Sequence, residues 1–238
     1  MKKICTIFLL ASFVLLKSAS AQKPSRLPSA EDILSKVVAG FVSVRDFTAT
    51  VDVEIQMERL QIPKMKAVMY FKKPDKIHFS SQGFLLVPRE GLALNPSVLQ
   101  EHFRTQSVMQ DTFGGKTVFK LHLTAKESKA RLRELNSWVD PLTWTIIKIE
   151  TIPYEGRILS MVFSYQHVQE KYWLPSKLVL QYKTDADQAL PDSSRASEQP
   201  GDILQRASPR NGSMIIMYSE YEVNTDIPDA VFEKNEKQ

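Results

Sequence analysis

The chain has 238 residues, 43% of them hydrophobic and 24% charged, which supplies a sizeable core and excludes disordered, collagen-like and coiled-coil classes. Its 31 Lys and Arg against 27 Asp and Glu give a formal charge of +4, but Lys2, Lys3 and Lys17 fall in an expected leader, and without them 28 bases face 27 acids. A chain so close to neutral has no long-range field to gather nucleic acid or anionic membranes, so the pI near 9.0 does not indicate a nucleic-acid partner.

Lys2 and Lys3 precede an apolar stretch over 7–16, and Ala19-Ser20-Ala21 stands before Gln22 as a small-residue cleavage site. The pattern predicts a secretory signal peptide over 1–21, cleaved after Ala21. The alternative is a membrane anchor, which needs about 20 apolar residues, whereas Lys17 closes this run early. Cys5 is the only cysteine and lies inside the leader, so the mature chain is expected to do without disulfides, thiolate nucleophiles or cysteine metal sites. With no later run long enough to span a bilayer, residues 22–238 read as one soluble domain in a periplasm.

After the polar lead-in over 22–28, Ser29 stands before Glu31, Asp32 and an apolar stripe of Ile33, Leu34, Val37, Val38, Phe41 and Val42. That is an N-cap with early acids, followed by helical spacing. From Asp46 the period becomes two: Phe47, Ala49, Val51, Val53, Ile55 and Met57 alternate with polar residues, predicting a long strand with one dry face. Strands follow over 65–71, 77–81 and 84–87, the first two separated by Lys72-Lys73-Pro74-Asp75, and Asn95-Pro96 opens a short helix reaching Phe103. Past Gly114-Gly115, strands are predicted over 117–124, 131–139 and 144–152, and beyond the turn at Glu155-Gly156 over 158–165, 172–182 and 213–223. Short connections favour an antiparallel meander, since a parallel crossover takes a dozen residues or more. The stretch 184–211 carries Pro191, Pro200 and Pro209 among polar residues. It reads as an excursion between the last two strands, either a disordered hairpin loop or a segment that docks a partner or acts as a lid.

Signals for catalysis are missing. His78, His102, His122 and His167 are scattered, with no metal-ligand spacing, and there is neither a G-x-S-x-G elbow nor a glycine-rich phosphate loop. No metal, cofactor or catalytic residue is therefore expected. The strands instead carry an apolar surplus on one side: Val51, Val53, Ile55, Met57, Met69, Phe71 and Phe79 early in the chain, then Leu159, Met161, Phe163, Leu178, Leu180, Ile215 and Met217. A curled sheet plugged by one helix forms an incomplete barrel that holds a hydrophobic ligand, or the same faces close into a packed core. In the first case Phe71, Phe79, Met161 and Phe163 line the space beneath a roof of Leu34, Val37 and Phe41. Val53, Ile55, Met69, Leu180 and Met217 complete the expected ligand contacts.

Several short motifs in order carry a family resemblance. They are Asp46-Phe47-Thr48-Ala49, the run from Met69-Tyr70-Phe71 through Lys72-Lys73-Pro74-Asp75 to Phe79, and Trp138-Val139-Asp140-Pro141 with Trp144. Trp173-Leu174-Pro175 follows, and then the ending from Tyr218 through Asn224-Thr225-Asp226-Ile227-Pro228-Asp229 to Phe232. With these the chain resembles the LolA-like family of periplasmic lipoprotein carriers, whose relatives include the LolB acceptor and the N-terminal domain of the RseB regulator. The resemblance implies an α+β fold, a curved antiparallel sheet forming an incomplete barrel capped by helices. It also implies a non-catalytic carrier whose partners are lipoprotein acyl chains or other lipid and membrane-bound donor and acceptor proteins. The alternative within that resemblance is an envelope sensor or scaffold that binds another protein. Carriers of the family typically place an arginine before the proline of the Lys-Pro-Asp region, where it bonds the lid. Here that position is Lys73, a point charge in place of a planar fork, and either a lid latch or a solvated strand-end lysine.

Overall fold

A computed structural model describes residues 27–57, 60–81, 95–127, 132–152, 157–184 and 211–233. The expected leader, the strand over 84–87, the turn at Glu155-Gly156 and the body of the 184–211 excursion lie outside these residues.

Helix α1 (Ala30–Phe41) begins where its cap predicts: Asp32 N donates to Ser29 Oγ at 3.1 Å, and Glu31 and Asp32 occupy the first turn, where carboxylates complement the free N–H groups. Ile33, Leu34, Val37 and Phe41 are buried, while Val42 is 67% exposed, so the apolar stripe stops with the helix. Strand β1 (Asp46–Met57) keeps its period of two, burying Phe47, Ala49, Val51, Val53 and Ile55. The short β2 (Leu60–Gln61) pairs with its far end, and β3 (Met65–Lys72) and β4 (Lys76–Ser81) form a hairpin beside it.

Helix α2 (Ser97–His102) runs directly into β5 (Phe103–Phe113). The sequence reading has no strand here, for a physical reason: β5 is an edge strand with a register shift between Thr105 and Ser107, and only Phe103 is buried. No alternation survives in such a segment. Gly114 and Gly115, at φ +57° and +76°, make the two-residue turn into β6 (Lys116–Ala125), a geometry that glycine adopts without strain. The strands β7 (Glu134–Asp140), β8 (Thr145–Thr151), β9 (Arg157–Val168), β10 (Tyr172–Thr184) and β11 (Asn211–Val223) follow, and α3 (Ala230–Glu233) ends the described chain.

All eleven strands join one antiparallel sheet in the order β4-β3-β1-β11-β10-β9-β8-β7-β6-β5, with β2 beside β1. The expected meander holds from β1 through β3 to β4 and from β5 to β11, and breaks between β4 and β5, which are the two edges. Strand β1 instead joins the two runs, lying between β3 and β11 with Phe47 opposite both Phe71 and Val223. Short turns fix neighbours in sequence and say nothing about which distant strand takes the free side of β1.

The ladder registers run one row of inward residues across eight strands: Ile55, Met214, Leu180, Met161, Ile149, Ser137, Leu121 and Val108. This row corrects the expectation for the last strand. Met214, Ile216 and Tyr218 face inward, Ile215 is only half-buried, and Met217 is 45% exposed. The run Met214-Ile215-Ile216-Met217 is apolar on both faces, so its pattern cannot set parity. Pairing with Val53 and Ile55 does.

Helix α1 packs on this inner face, its buried side chains joining the strands in one core. At the β4 edge, Lys72 and Lys76 reach Asp229 Oδ1 at 2.7 and 3.2 Å, bracing the C-terminal segment against the sheet.

Candidate functional site

A partly open cleft lies between α1 and the inner face, with about 570 Å³ of empty space when its mouth is included. Helix α1 contributes Val37, Gly40 and Phe41 to the wall. Gly40 is exposed and a Cβ there would meet nothing within 4 Å, so a side chain at this lining position would extend into open space. Opposite the helix, β8 and β9 supply Ile146, Ile149 and Phe163.

The turn between β7 and β8 brings Trp144 into the same space. Asp140 builds that turn: its Oδ1 accepts from Leu142 N at 2.8 Å and its carbonyl accepts from Trp144 N at 2.9 Å, with Trp144 at φ +53°. The indole stacks on Phe119 at 6.2 Å and lies beneath Lys36 Nζ at 4.2 Å. Across the cleft, Trp173 faces His167 at 4.9 Å, and Pro175 sits at a bulge where its carbonyl accepts from Tyr221 Oη at 2.8 Å.

The three side-chain hydroxyls of the wall are bonded within the protein. Thr143 Oγ1 and Thr145 Oγ1 bond each other at 2.7 Å, and Tyr165 Oη donates to the Ile146 carbonyl at 2.7 Å. Burial, with the nearby Tyr218 hydroxyl adding to it, pushes the Tyr165 phenol well above its ordinary pKa, so it stays a neutral donor. The wall is thus more apolar and aromatic than polar, with the indole N–H groups of Trp144 and Trp173 as its remaining side-chain donors and the Lys36 ammonium over one of those rings. Among the described residues no group of three His, Cys, Asp or Glu could hold a metal ion, and no helix is long and apolar enough to cross a membrane.

Lys73 lies at the helix end of this site. Its Nζ donates to the carbonyls of Phe41 at 2.8 Å and Val42 at 3.0 Å and stands 5.0 Å from the centre of the Phe41 ring. These are the last carbonyls of α1, which lack partners within the helix and attract a cation. Partial burial lowers the lysine's pKa from its usual value. The next residue, Pro74, follows a cis peptide bond, and its carbonyl accepts from Asn95 Nδ2 just before α2.

Three solved structures share this architecture along most of their length. A LolA superfamily protein from Nitrosomonas europaea superimposes with TM-score 0.53 at 11% identity, covering 87% of this chain and 98% of that one. A putative outer membrane lipoprotein-sorting protein domain from Vibrio parahaemolyticus gives 0.55 at 14%, covering 86% and 96%. A DUF1329 family protein from Desulfovibrio piger gives 0.55 at 13%, covering 84% and 94%. The fold is LolA-like. At such identities the likeness is one of fold. No protein-family model matches the sequence, and no curated protein matches it.

Within the LolA-like sheet, the expected ligand contacts divide. Val37, Phe41 and Phe163 line the cleft and are at the same time buried members of the core. Leu34, Val53, Ile55, Met69, Phe71 and Met161 are buried in the core alone, and Phe79 and Leu180 pack half-buried against it. Met217 points away from it. Phe71 illustrates why: it stacks on Phe47 at 5.0 Å and meets Phe41 edge-on at 5.9 Å, and so fills the space under this end of α1. The sequence reading missed Trp144, Trp173, Ile146 and Ile149. The two tryptophans stand in the quoted family motifs and could have been placed from them, whereas the isoleucines are three apart because a bulge opposite β7 resets the alternation.

Proposed function

We propose that this protein is a periplasmic carrier that binds acyl-chain cargo in the cleft beneath α1 and carries out no catalysis. One observation supports the reading above the others: a cleft walled by Val37, Phe41, Ile146, Phe163, Trp144 and Trp173, in which the wall hydroxyls bond within the protein. Such a wall rewards burial of methylenes more than it rewards any one headgroup. The export pattern at Lys2, Lys3 and Ala19-Ser20-Ala21 supports the compartment. The Vibrio structure is described as a lipoprotein-sorting domain, which agrees with lipidated cargo. Lys73, holding the end of the roof helix, is the candidate latch between closed and open forms.

Titration with fluorescent fatty acids of increasing length tests the proposal. Each added methylene should tighten binding by about fourfold until the cleft is full. Gly40→Leu, which puts a side chain into open space, should block uptake while leaving the melting temperature equal or higher, because leucine favours a helix over glycine by about 1 kcal/mol. Affinity that stays flat along the series, or uptake that survives Gly40→Leu, sinks the proposal.

A further inference from the structure

Seven large hydrophobic side chains are exposed among the described residues; one of them lines the cleft and two more adjoin lining residues in the chain. Trp173, 41% exposed, is itself part of the cleft wall; Val42, 67% exposed, follows Phe41; Leu142, 84% exposed, precedes Thr143. Successive Cα atoms are about 3.8 Å apart, so the backbones of Val42 and Leu142 lie next to the lining residues Phe41 and Thr143. The other four are dispersed: Leu27 before α1, Val68 and Met109 on strands near either edge, and Met217 on β11.

Ammonium groups also stand over aromatic rings at or next to lining residues in the chain. Lys36 Nζ lies 4.2 Å from the Trp144 ring centre and Lys171 Nζ 5.0 Å from that of Tyr172, the residue before Trp173. Glu170 is the acid beside Lys171. Arg45 is paired with Asp226 at 3.2 Å and Lys73 with the helix carbonyls, so neither adds a free charge.

Exposed aliphatic side chains, an exposed tryptophan and lysines packed on neighbouring aromatic rings are residue types that suit a membrane interface. There, apolar tips enter the acyl boundary while aromatic edges and amines stay among headgroups. We propose that the rim formed by Val42, Leu142 and Trp173, with Lys36 and Lys171, docks on a lipid bilayer bearing anionic headgroups. The inference rests on the carrier reading, since docking there sets the mouth of the cleft against the source or destination of an acyl chain. Because the chain as a whole is close to neutral, the apolar tips carry the binding and the lysines adjust it.

Flotation of the full chain with protein-free vesicles tests the docking. The parent should float with phosphatidylcholine vesicles containing phosphatidylglycerol, and less with phosphatidylcholine alone. The double variant Val42→Ser, Leu142→Ser should weaken partitioning by about tenfold or more, and Lys171→Gln by about fivefold. None of the three residues lines the cleft, so uptake of a fluorescent fatty acid in vesicle-free buffer should stay within about twofold of the parent. Absent flotation with intact uptake overturns docking alone, as does a double variant that floats like the parent. Flotation without uptake supports docking and overturns the carrier reading. Retention only by membranes that contain a partner protein also overturns the docking inference.

Discussion

Lys73 Nζ donates to the main-chain carbonyl of Phe41 at 2.8 Å, tying the chain just past β3 to the last turn of the helix that roofs the cleft. The donor closes one end of that helix as Ser29 closes the other. Lys73→Leu removes both bonds to the helix end and should cost about 1–2 kcal/mol in urea denaturation. Lys73→Arg, which supplies a forked donor, should retain most of that stability. If this contact latches the roof, Lys73→Leu changes the rate at which a fluorescent lipopeptide passes to acceptor membranes. Unchanged transfer removes the latch and leaves a helix cap.

Phe163 and Met161 sit two residues apart on β9, and only Phe163 lines the cleft. Phe163→Ser should therefore weaken fatty-acid binding by at least tenfold, about 1.4 kcal/mol, and, because Phe163 is also buried in the core, lower stability by about 3–5 kcal/mol. Met161→Asp buries a carboxylate in the packed row between Leu180 and Ile149 and should prevent stable folding at neutral pH. Circular dichroism and uptake measured on both variants decide this. A folded, non-binding Met161→Asp would show that the space extends further under α1 than the described cleft.

Tyr165, Tyr218 and Tyr221 form a buried group in which desolvation raises all three pKa values. Their phenols keep their protons in the folded state while the unfolded chain loses its own near pH 10. Below that pH the linkage leaves stability unchanged; above it the folded state binds more protons and stability falls as pH rises. Absorbance titration should show these three ionising only with unfolding, and urea midpoints should drop between about pH 10 and pH 12. Reversible ionisation of all seven tyrosines in a folded chain would contradict the packing.

Ser137 lies between Leu121 and Ile149 in the inward row, and its Oγ is buried without a hydrogen-bond partner. An unsatisfied hydroxyl among apolar neighbours costs about 1–3 kcal/mol. Ser137→Ala should accordingly raise the urea midpoint. A lower midpoint would mean that the hydroxyl is bonded in solution.

How much of this was legible in the sequence depended on how many neighbours fix each residue. The stripe of α1 and the alternation of β1 follow from local periods of 3.6 and 2, and Ser29 and Gly114-Gly115 from local cap and turn chemistry. Met217 was misplaced because its strand is apolar on both faces, and only its register against β1 shows which face is inner. The cleft was harder. Ile146 and Ile149 share a wall because of a bulge between them, Trp144 enters by the Asp140 turn, and Phe71 leaves the expected cavity because Phe47 and Phe41 pack against it. Those are consequences of tertiary contact, and no window of the sequence contains them.

The pairing of β1 with β11 also sets a timetable. Phe47 and Val223 are opposite each other, so a strand made near the start of synthesis waits for one made near the end, and no intermediate length of chain can satisfy both sides of the central ladder. A copy that stops short of β11 presents the twelve residues of β1 as an open template, the edge from which unwanted association starts. Truncation at the C-terminus should therefore be recorded in cells as aggregate or degraded fragments, never as a smaller folded protein.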